Sequence, residues 1–278
     1  MDSGGGKYGD FDAWLGLCRR CVAAQRTIFA EHRGIAKRTV YEGVGKGGDK
    51  ALVIDRLCED VVFEELERLH ADGRSFTAIS EERGEVAFGE GPERVVIDPI
   101  DGSMNARRTV PQHSLSIAVA SGAKMADVEF GFVHDFGANE EFTAVRGRGV
   151  LLDGRSVELS AEPGLEAVGL ETTKPERVIQ AAQVLVGKSY RLRAVGSIAI
   201  SLAYVAVGRF DGMITLRPCR SVDAAAGQLI VREAGGALAL GEPAPVDVGL
   251  DLEARFNVAA ARTEEDLPTL LEAQNAVG

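Results

Sequence analysis

Apolar residues recur along the chain with two different periods, and the change of period outlines the fold. Over residues 10–31 they fall at helical spacing, as Phe11, Trp14, Leu15, Cys18, Val22, Ile28 and Phe29, which predicts an amphipathic helix. A second helix is predicted over 50–70, with Leu52, Leu57, Val61, Val62, Leu66 and Leu69 inward. Residues 32–50 carry Gly34, Gly43, Gly45, Gly47 and Gly48 and read as a strand or two with a mobile loop. Lys46 sits in that loop, which reads equally as a lid and as plain surface.

From residue 76 the runs shorten and become strand-like. Strands are predicted at 76–80, ending at Glu81-Glu82, at 94–97, ending at Asp98, and at 115–120, 128–133 and 141–145; 142–152 has the look of a hairpin. The second half alternates more regularly. A strand at 166–170 precedes a helix opened by Pro175 and running to about Val186. Helices follow at 197–207 and 222–234, the latter ended by Gly235-Gly236, and at 264–273. Strands are predicted at 211–216, 237–240 and 256–261. The class is mixed α/β with layered elements, and a boundary near 155–165 divides an N-terminal α+β part (1–160) from a C-terminal α/β part (161–278).

Composition narrows the function classes. The chain has 278 residues, 45% hydrophobic and 26% charged, which fits one large domain or two subdomains sharing an interface. The formal net charge of −11 argues against nucleic acid or an anionic membrane as partner. It would also repel a phosphorylated substrate unless cations are held locally. No apolar run approaches the roughly 20 residues that span a bilayer. Residues 1–10 are polar and glycine-rich, without a signal-peptide core, so a cytoplasmic protein is expected. The four cysteines read as free thiols. Cys18 and Cys21 form a Cys-x-x-Cys pair inside a helical pattern, with no second pair nearby, and read as small buried hydrophobes rather than a zinc or redox pair. His113 and His134 lie on apolar strands and read as core residues.

Three acidic features stand at the ends of apolar runs: Glu81, the pair Asp98 and Asp101, and Asp223 before a run of small residues. Magnesium takes oxygen ligands in octahedral geometry, mostly carboxylates, water and substrate phosphate. Asp98 and Asp101 can bracket two ions if Pro99 and Gly102 make the turn between them rigid. Residues 103–106 can open a helical turn whose free N–H groups receive a phosphate oxygen. Spacing alone leaves another reading open for each. Asp-Pro and Asp-Gly are common turn dipeptides, Asp223 is in position to cap a helix, and Glu81-Glu82 can be a solvated pair.

The order of these residues resembles the inositol monophosphatase and fructose-1,6-bisphosphatase superfamily. Residues 96–105, Val-Ile-Asp-Pro-Ile-Asp-Gly-Ser-Met-Asn, are similar to its Asp-Pro-aliphatic-Asp-Gly-Thr-x-Asn signature. Val222-Asp223-Ala224-Ala225-Ala226-Gly227, followed by Glu233-Ala234-Gly235-Gly236, is similar to its second signature. Glu81-Glu82 and Gly196-Ser197 match two further elements, in order, over roughly residues 10–275. The resemblance implies a layered α/β/α/β/α sandwich, usually dimeric, and Mg²⁺-dependent, lithium-sensitive hydrolysis of a small phosphate monoester by a metal-activated water. It implies that Glu81, Asp98 and the Ile100 carbonyl hold one ion and that Asp98, Asp101 and Asp223 hold a second. A third, weaker ion would lean on Glu81. Asp55, with the Ser103 hydroxyl, would orient the attacking water, and the N–H groups of Gly102 and Ser103 would cradle the phosphate; Gly196 and Ser197 complete the site.

The sequence departs from the family pattern in places. Ser103 replaces threonine, Ala106 an aromatic residue and Val222 a tryptophan. The glutamate that binds inositol hydroxyls in animal members has no counterpart in 214–221, Ile-Thr-Leu-Arg-Pro-Cys-Arg-Ser. That points away from strict inositol specificity and toward archaeal and bacterial members acting on both inositol phosphate and fructose bisphosphate. Arg108, Arg217 or Arg220 can clamp a second phosphate, or each can be a solvated surface arginine. A 3′-phosphoadenosine 5′-phosphate phosphatase is an alternative within the fold. A catalytically silent metal-binding or interaction protein is the alternative outside it.

Overall fold

The structure, a computed structural model, describes residues 11–40, 52–157, 162–172, 174–241 and 248–277. Lys46 and the glycine-rich loop 43–48 lie outside the described residues. The helices are α1 (Asp12–Glu31), α2 (Ile35–Arg38), α3 (Val53–Ala71), α4 (Ser103–Arg108), α5 (Pro175–Leu185), α6 (Ile198–Ala206), α7 (Ser221–Glu233) and α8 (Leu267–Asn275).

Strands β1 (Phe76–Ser80), β2 (Gly84–Phe88), β3 (Arg94–Asp101), β4 (Ser114–Ala120), β5 (Val128–Asp135), β6 (Glu140–Val145), β7 (Val150–Leu152) and β8 (Arg155–Ser156) form one sheet, in the order β2-β1-β3-β4-β5-β6-β7-β8. Strands β9 (Leu165–Glu171), β10 (Ser189–Arg193), β11 (Gly212–Thr215), β12 (Ala237–Leu240) and β13 (Val258–Ala261) form a second, ordered β10-β9-β11-β13-β12. Strand β8 ends at Ser156 and β9 begins at Leu165, so the two sheets follow one another along the chain.

Strand alternation explains the layering. Successive side chains point to opposite faces. Val95 and Ile97 of β3 pack with Trp14, Leu17, Val62 and Phe63 of α1 and α3. Val96, on the other face, packs with Leu202 of α6 and Leu229 of α7. That helical layer also meets Met213, Val258 and Ala260 of the second sheet, so both sheets share one core. The far face of the second sheet, with Val168, Ile214 and Ala259, is covered by Ala181 and Leu185 of α5 and Leu270 of α8. The result is α/β/α/β/α.

Several elements differ from the sequence expectation. Residues 35–38 form a short helix, not a strand. Strands β2 and β10 carry no clear apolar alternation because both are edge strands. Only Gly84 and Phe88 of β2 are buried, and no residue of β10 is. An edge strand is held by backbone pairing and leaves little side-chain pattern to read. The cysteines Cys18, Cys21, Cys58 and Cys219 are all buried as free thiols. Burial pushes the Cys18 thiol well up and that of Cys21 to about 12, the range of inert packing groups. His113 and His134 are buried beside Phe136. Burial lowers both imidazoles, that of His134 to about 4, so both are neutral core residues. Among the described residues no helix is long and apolar enough to cross a membrane.

Candidate active site

The C-terminal end of β3 is where the chain departs from regular pairing. Register with β4 shifts between Asp98 and Asp101, because Pro99 has no N–H to give the ladder. The Asp98 carboxylate accepts the Ile100 N–H at 3.0 Å, fixing the turn from within. Asp101 is held from outside: its Oδ2 accepts the Ser197 hydroxyl at 2.5 Å and the Ala199 N–H at 2.7 Å. Ser197 caps α6, accepting from Ile200 N–H at 3.2 Å.

Gly102 follows at φ +90°, and a Cβ there would lie 3.0 Å from the Gln112 carbonyl and 3.1 Å from that of Gly196. Glycine is required both for the backbone conformation and for the close approach. The chain then enters α4, where Ser103 Oγ donates to the Ile100 carbonyl at 2.9 Å.

Glu81 and Asp223 reach the same region from other elements. Glu81 follows β1. Asp223 is the third residue of α7, inside the helix rather than before it, and accepts the N–H of the cap residue Arg220 at 2.7 Å. Its carboxylate also feels those of Asp101 and Glu81, so one residue serves both the helix start and the cluster. Arg220, one candidate for a phosphate clamp, instead places Nη1 2.5 Å from Glu81 Oε1. Arg108 is exposed at the end of α4.

The electrostatics of this cluster decide what it can hold. Burial raises the Asp98 carboxyl well above its ordinary range, and Asp101, Glu81 and Asp223 push it further. Burial carries Asp101 up to about 6 despite its hydrogen bonds, and carries Asp223 to about 7 with the help of Asp101 and Glu81. Four carboxylates facing one another in a low-dielectric site call for positive charge or protons. The donor set is all oxygen, which suits a hard divalent cation. Among the described residues, however, no three such side chains stand as a ready-made coordination shell. The hydrogen bonds to Asp98, Asp101 and Asp223 and the Arg220 ion pair to Glu81 fix the present rotamers, and a cation would draw the free lone pairs inward.

Asp55, at the third position of α3, lines a cavity of 190 Å³ with Leu52, Glu81, Ser103 and Arg107. Its Oδ2 accepts the Leu52 N–H at 3.4 Å, while its buried Oδ1 has no partner among the described residues. An orphaned buried acceptor beside the carboxylate cluster is a place for a water donor. Ser103 faces the same cavity, and because its proton goes to Ile100 its lone pairs are also open to a donor. The structure thus brings together Asp55, Glu81, Ser103, Asp98, Asp101 and Asp223.

A larger cavity of 570 Å³ lies beyond the cluster, lined by Asp101, Gly196, Asp223, Arg217, Lys174 and Glu171 among others. Arg217, Gly196 and Asp223 were legible as candidates. Lys174 and Glu171 were not, since neither belongs to a motif. The only sequence signal for Glu171 is an acid closing an apolar strand, the same signal that marked Asp98.

Residues 18–277 match the sequence profile of the Inositol monophosphatase family. The chain belongs to that family. A relative named fructose-1,6-bisphosphatase/inositol-1-monophosphatase from Methanothermobacter thermautotrophicus is 34% identical, covering 91% of this chain and 93% of its own. Nus factor SuhB of Escherichia coli is 38% identical over 66% of this chain and 68% of its own. Among solved structures, the MJ0109 gene product, titled inositol monophosphatase-fructose 1,6 bisphosphatase, superposes with a TM-score of 0.80 at 24% identity, over 94% of this chain and 98% of that one. Two of the positions at which this chain departs from the family pattern lie in its apolar cores. Val222 is buried in the shared core. Ala106 is buried with Phe29, Ile54 and Ile100, and its carbonyl accepts from Arg38 Nη1 at 2.8 Å.

Proposed function

We propose that the protein is a Mg²⁺-dependent phosphatase hydrolysing small phosphate monoesters of the inositol monophosphate or fructose 1,6-bisphosphate kind. The observation that carries this reading is the cluster of buried Asp98 and Asp101 with half-buried Asp223 and Glu81 beside the Gly102–Ser103 turn, in a member of this family. When bound there, divalent cations would neutralise the phosphate oxygens and acidify a water. Asp98, Asp101, Asp223, Glu81 and the Ile100 carbonyl are the residues to hold two or three of them. The chain's own groups do the rest. Asp55 Oδ1 accepts a hydrogen bond from one O–H of the attacking water and Ser103 Oγ one from the other, which fixes the water's direction; as the water oxygen bonds to phosphorus the bond to the ester oxygen breaks, and the proton the water sheds is matched by the one the departing alcohol takes up. The Gly102 and Ser103 N–H groups meet a phosphate oxygen. No side chain in the cluster is set up as a nucleophile, so a single displacement by water is the reaction drawn.

The larger cavity supports a choice of alcohol. Lys174 and Arg217 line it, which favours esters bearing a second anionic group. The deciding experiment is phosphate release from inositol 1-phosphate, fructose 1,6-bisphosphate and 3′-phosphoadenosine 5′-phosphate, with and without Mg²⁺. Metal-dependent release from the first two is expected. Release from the nucleotide alone would move the assignment to the nucleotide branch, and no release from any would sink it.

A pH profile tests the water-orienting pair. Burial raises the Asp55 carboxyl to about 6. The ionised form accepts the water proton, so activity should rise with pH through about 6 and level off above it. Asp55→Asn should remove that limb along with most of the rate. An unchanged acid limb in the asparagine variant would assign the titration to another group.

A further inference from the structure

We propose that Glu171 is a positioning residue for this reaction, its carboxylate fixing the backbone segment that walls the site on the substrate side. The proposal rests on the phosphatase reading above and adds a residue outside every motif that led to it.

Glu171 is the last residue of β9 and is 1% exposed. Its Oε1 accepts the Val195 N–H at 3.1 Å and the Ser201 hydroxyl at 2.6 Å, and its Oε2 accepts the Gly196 N–H at 2.8 Å. One carboxylate therefore ties the end of a strand to two successive peptides and to the first turn of α6. The tied segment is the contact between two parts of the site. The Val195 carbonyl accepts from Asn105 Nδ2 at 2.7 Å. Gly196 has φ +82°, and a Cβ there would lie 2.8 Å from the same Asn105 nitrogen. The Gly196 carbonyl lies against Gly102, and the next residue, Ser197, donates to Asp101. Moving Val195 and Gly196 would thus move a wall of the larger cavity, the packing of Gly102 and a donor to Asp101 together.

No apolar or neutral residue serves this purpose. Two convergent backbone N–H groups need an acceptor on each of two atoms, and among side chains of this length only an ionised glutamate offers both. Burial pushes the Glu171 carboxyl up to about 7, while the Ser201 hydroxyl and the Val195 and Gly196 N–H groups favour the charged form that accepts on both oxygens. Residues that hold site geometry within a fraction of an ångström act in this indirect way.

The test compares wild type with Glu171→Gln and Glu171→Ala. Glutamine keeps the volume and one acceptor but turns an NH₂ toward one of the two N–H groups. Its folding should therefore survive, whereas alanine can fail to fold. Glu171→Gln is expected to raise KM for inositol 1-phosphate or fructose 1,6-bisphosphate about tenfold with a smaller change in kcat, a misplaced wall rather than lost chemistry. Amide hydrogen exchange in residues 194–199 should quicken by about tenfold or more, since bonds to a charged acceptor are lost. KM and kcat within twofold of wild type, with unchanged exchange, would overturn the proposal. So would a fall in Tm with unchanged KM and kcat in the folded fraction, which is the mark of a purely structural role. If wild type released no phosphate from either ester, the phosphatase reading would fall. The exchange result would still decide whether Glu171 holds the segment.

Discussion

Replacing Asp98 with asparagine is expected to abolish metal-dependent phosphate release, a loss on the order of a thousandfold, while the protein stays folded. Asp98 sits within β3, buried, with its own Ile100 N–H bond closing the turn. Asparagine has the same shape and keeps a carbonyl oxygen for that bond. What it lacks is the charge, and the charge is unwelcome in the isolated fold, because burial and three neighbouring acids raise this carboxyl. The metal-free variant should therefore melt no lower than wild type near neutral pH. Asp223→Asn should behave alike, since an asparagine can still accept the Arg220 N–H that caps α7. Phosphate release and melting curves check both. Near-normal activity in either variant would remove that residue from the metal set.

Mg²⁺ is expected to stabilise the protein, and more so at pH 8 than at pH 5. Asp101 and Asp223 titrate at about 6 and about 7 in the folded chain, against an ordinary value of 3.8. Between those values the folded state binds more protons than the unfolded one, so metal-free stability falls as pH rises from about 4 to about 7. Above pH 7 the repulsion among ionised carboxylates is fully present, and a bound cation relieves it. Below pH 5 the cation must compete with protons. At a hundred times its Kd, Mg²⁺ should add about 2.7 kcal/mol, a rise of roughly 5–10 °C in Tm for a chain of this size. Thermal melts in chelator and in Mg²⁺ at the two pH values check this. An equal rise at both would separate metal binding from these carboxylates.

Much of the site was readable in advance because its chemistry is written in local order. Asp98 to Ser103 forms one strand end and one turn, and a proline and a glycine mark both. Glu81 was marked by its place after an apolar run, and Asp55 by family order alone. Arg220 shows where such reading stops. From sequence it was a cation near a phosphate site, whereas the fold sets it on Glu81, a pairing 139 residues apart that no local pattern encodes. Glu171 was illegible for the same reason. Its partners lie 24 to 30 residues away and include two backbone groups, which carry no sequence signal at all. Strands β2 and β10 escaped because edge pairing leaves side chains free to be polar. The layered architecture was legible because the inner strands bury both faces and their runs show it.

The two walls of the cleft hang from different sheets. The acids on the β3 side grow out of the middle of the eight-stranded sheet, locked by strands on either flank. Glu171, Lys174 and Arg217 sit at or just beyond the ends of β9 and β11, neighbouring inner strands of the five-stranded sheet. Changes at residues 172, 174 and 217 can therefore reshape the chamber for a new alcohol while the hydrolytic centre stays intact, whereas changes at 195 and 196 would reach Gly102 and Asp101. In this molecule, swapping the leaving group is a problem of grafting connections, and laboratory evolution of new esters should concentrate its accepted changes there.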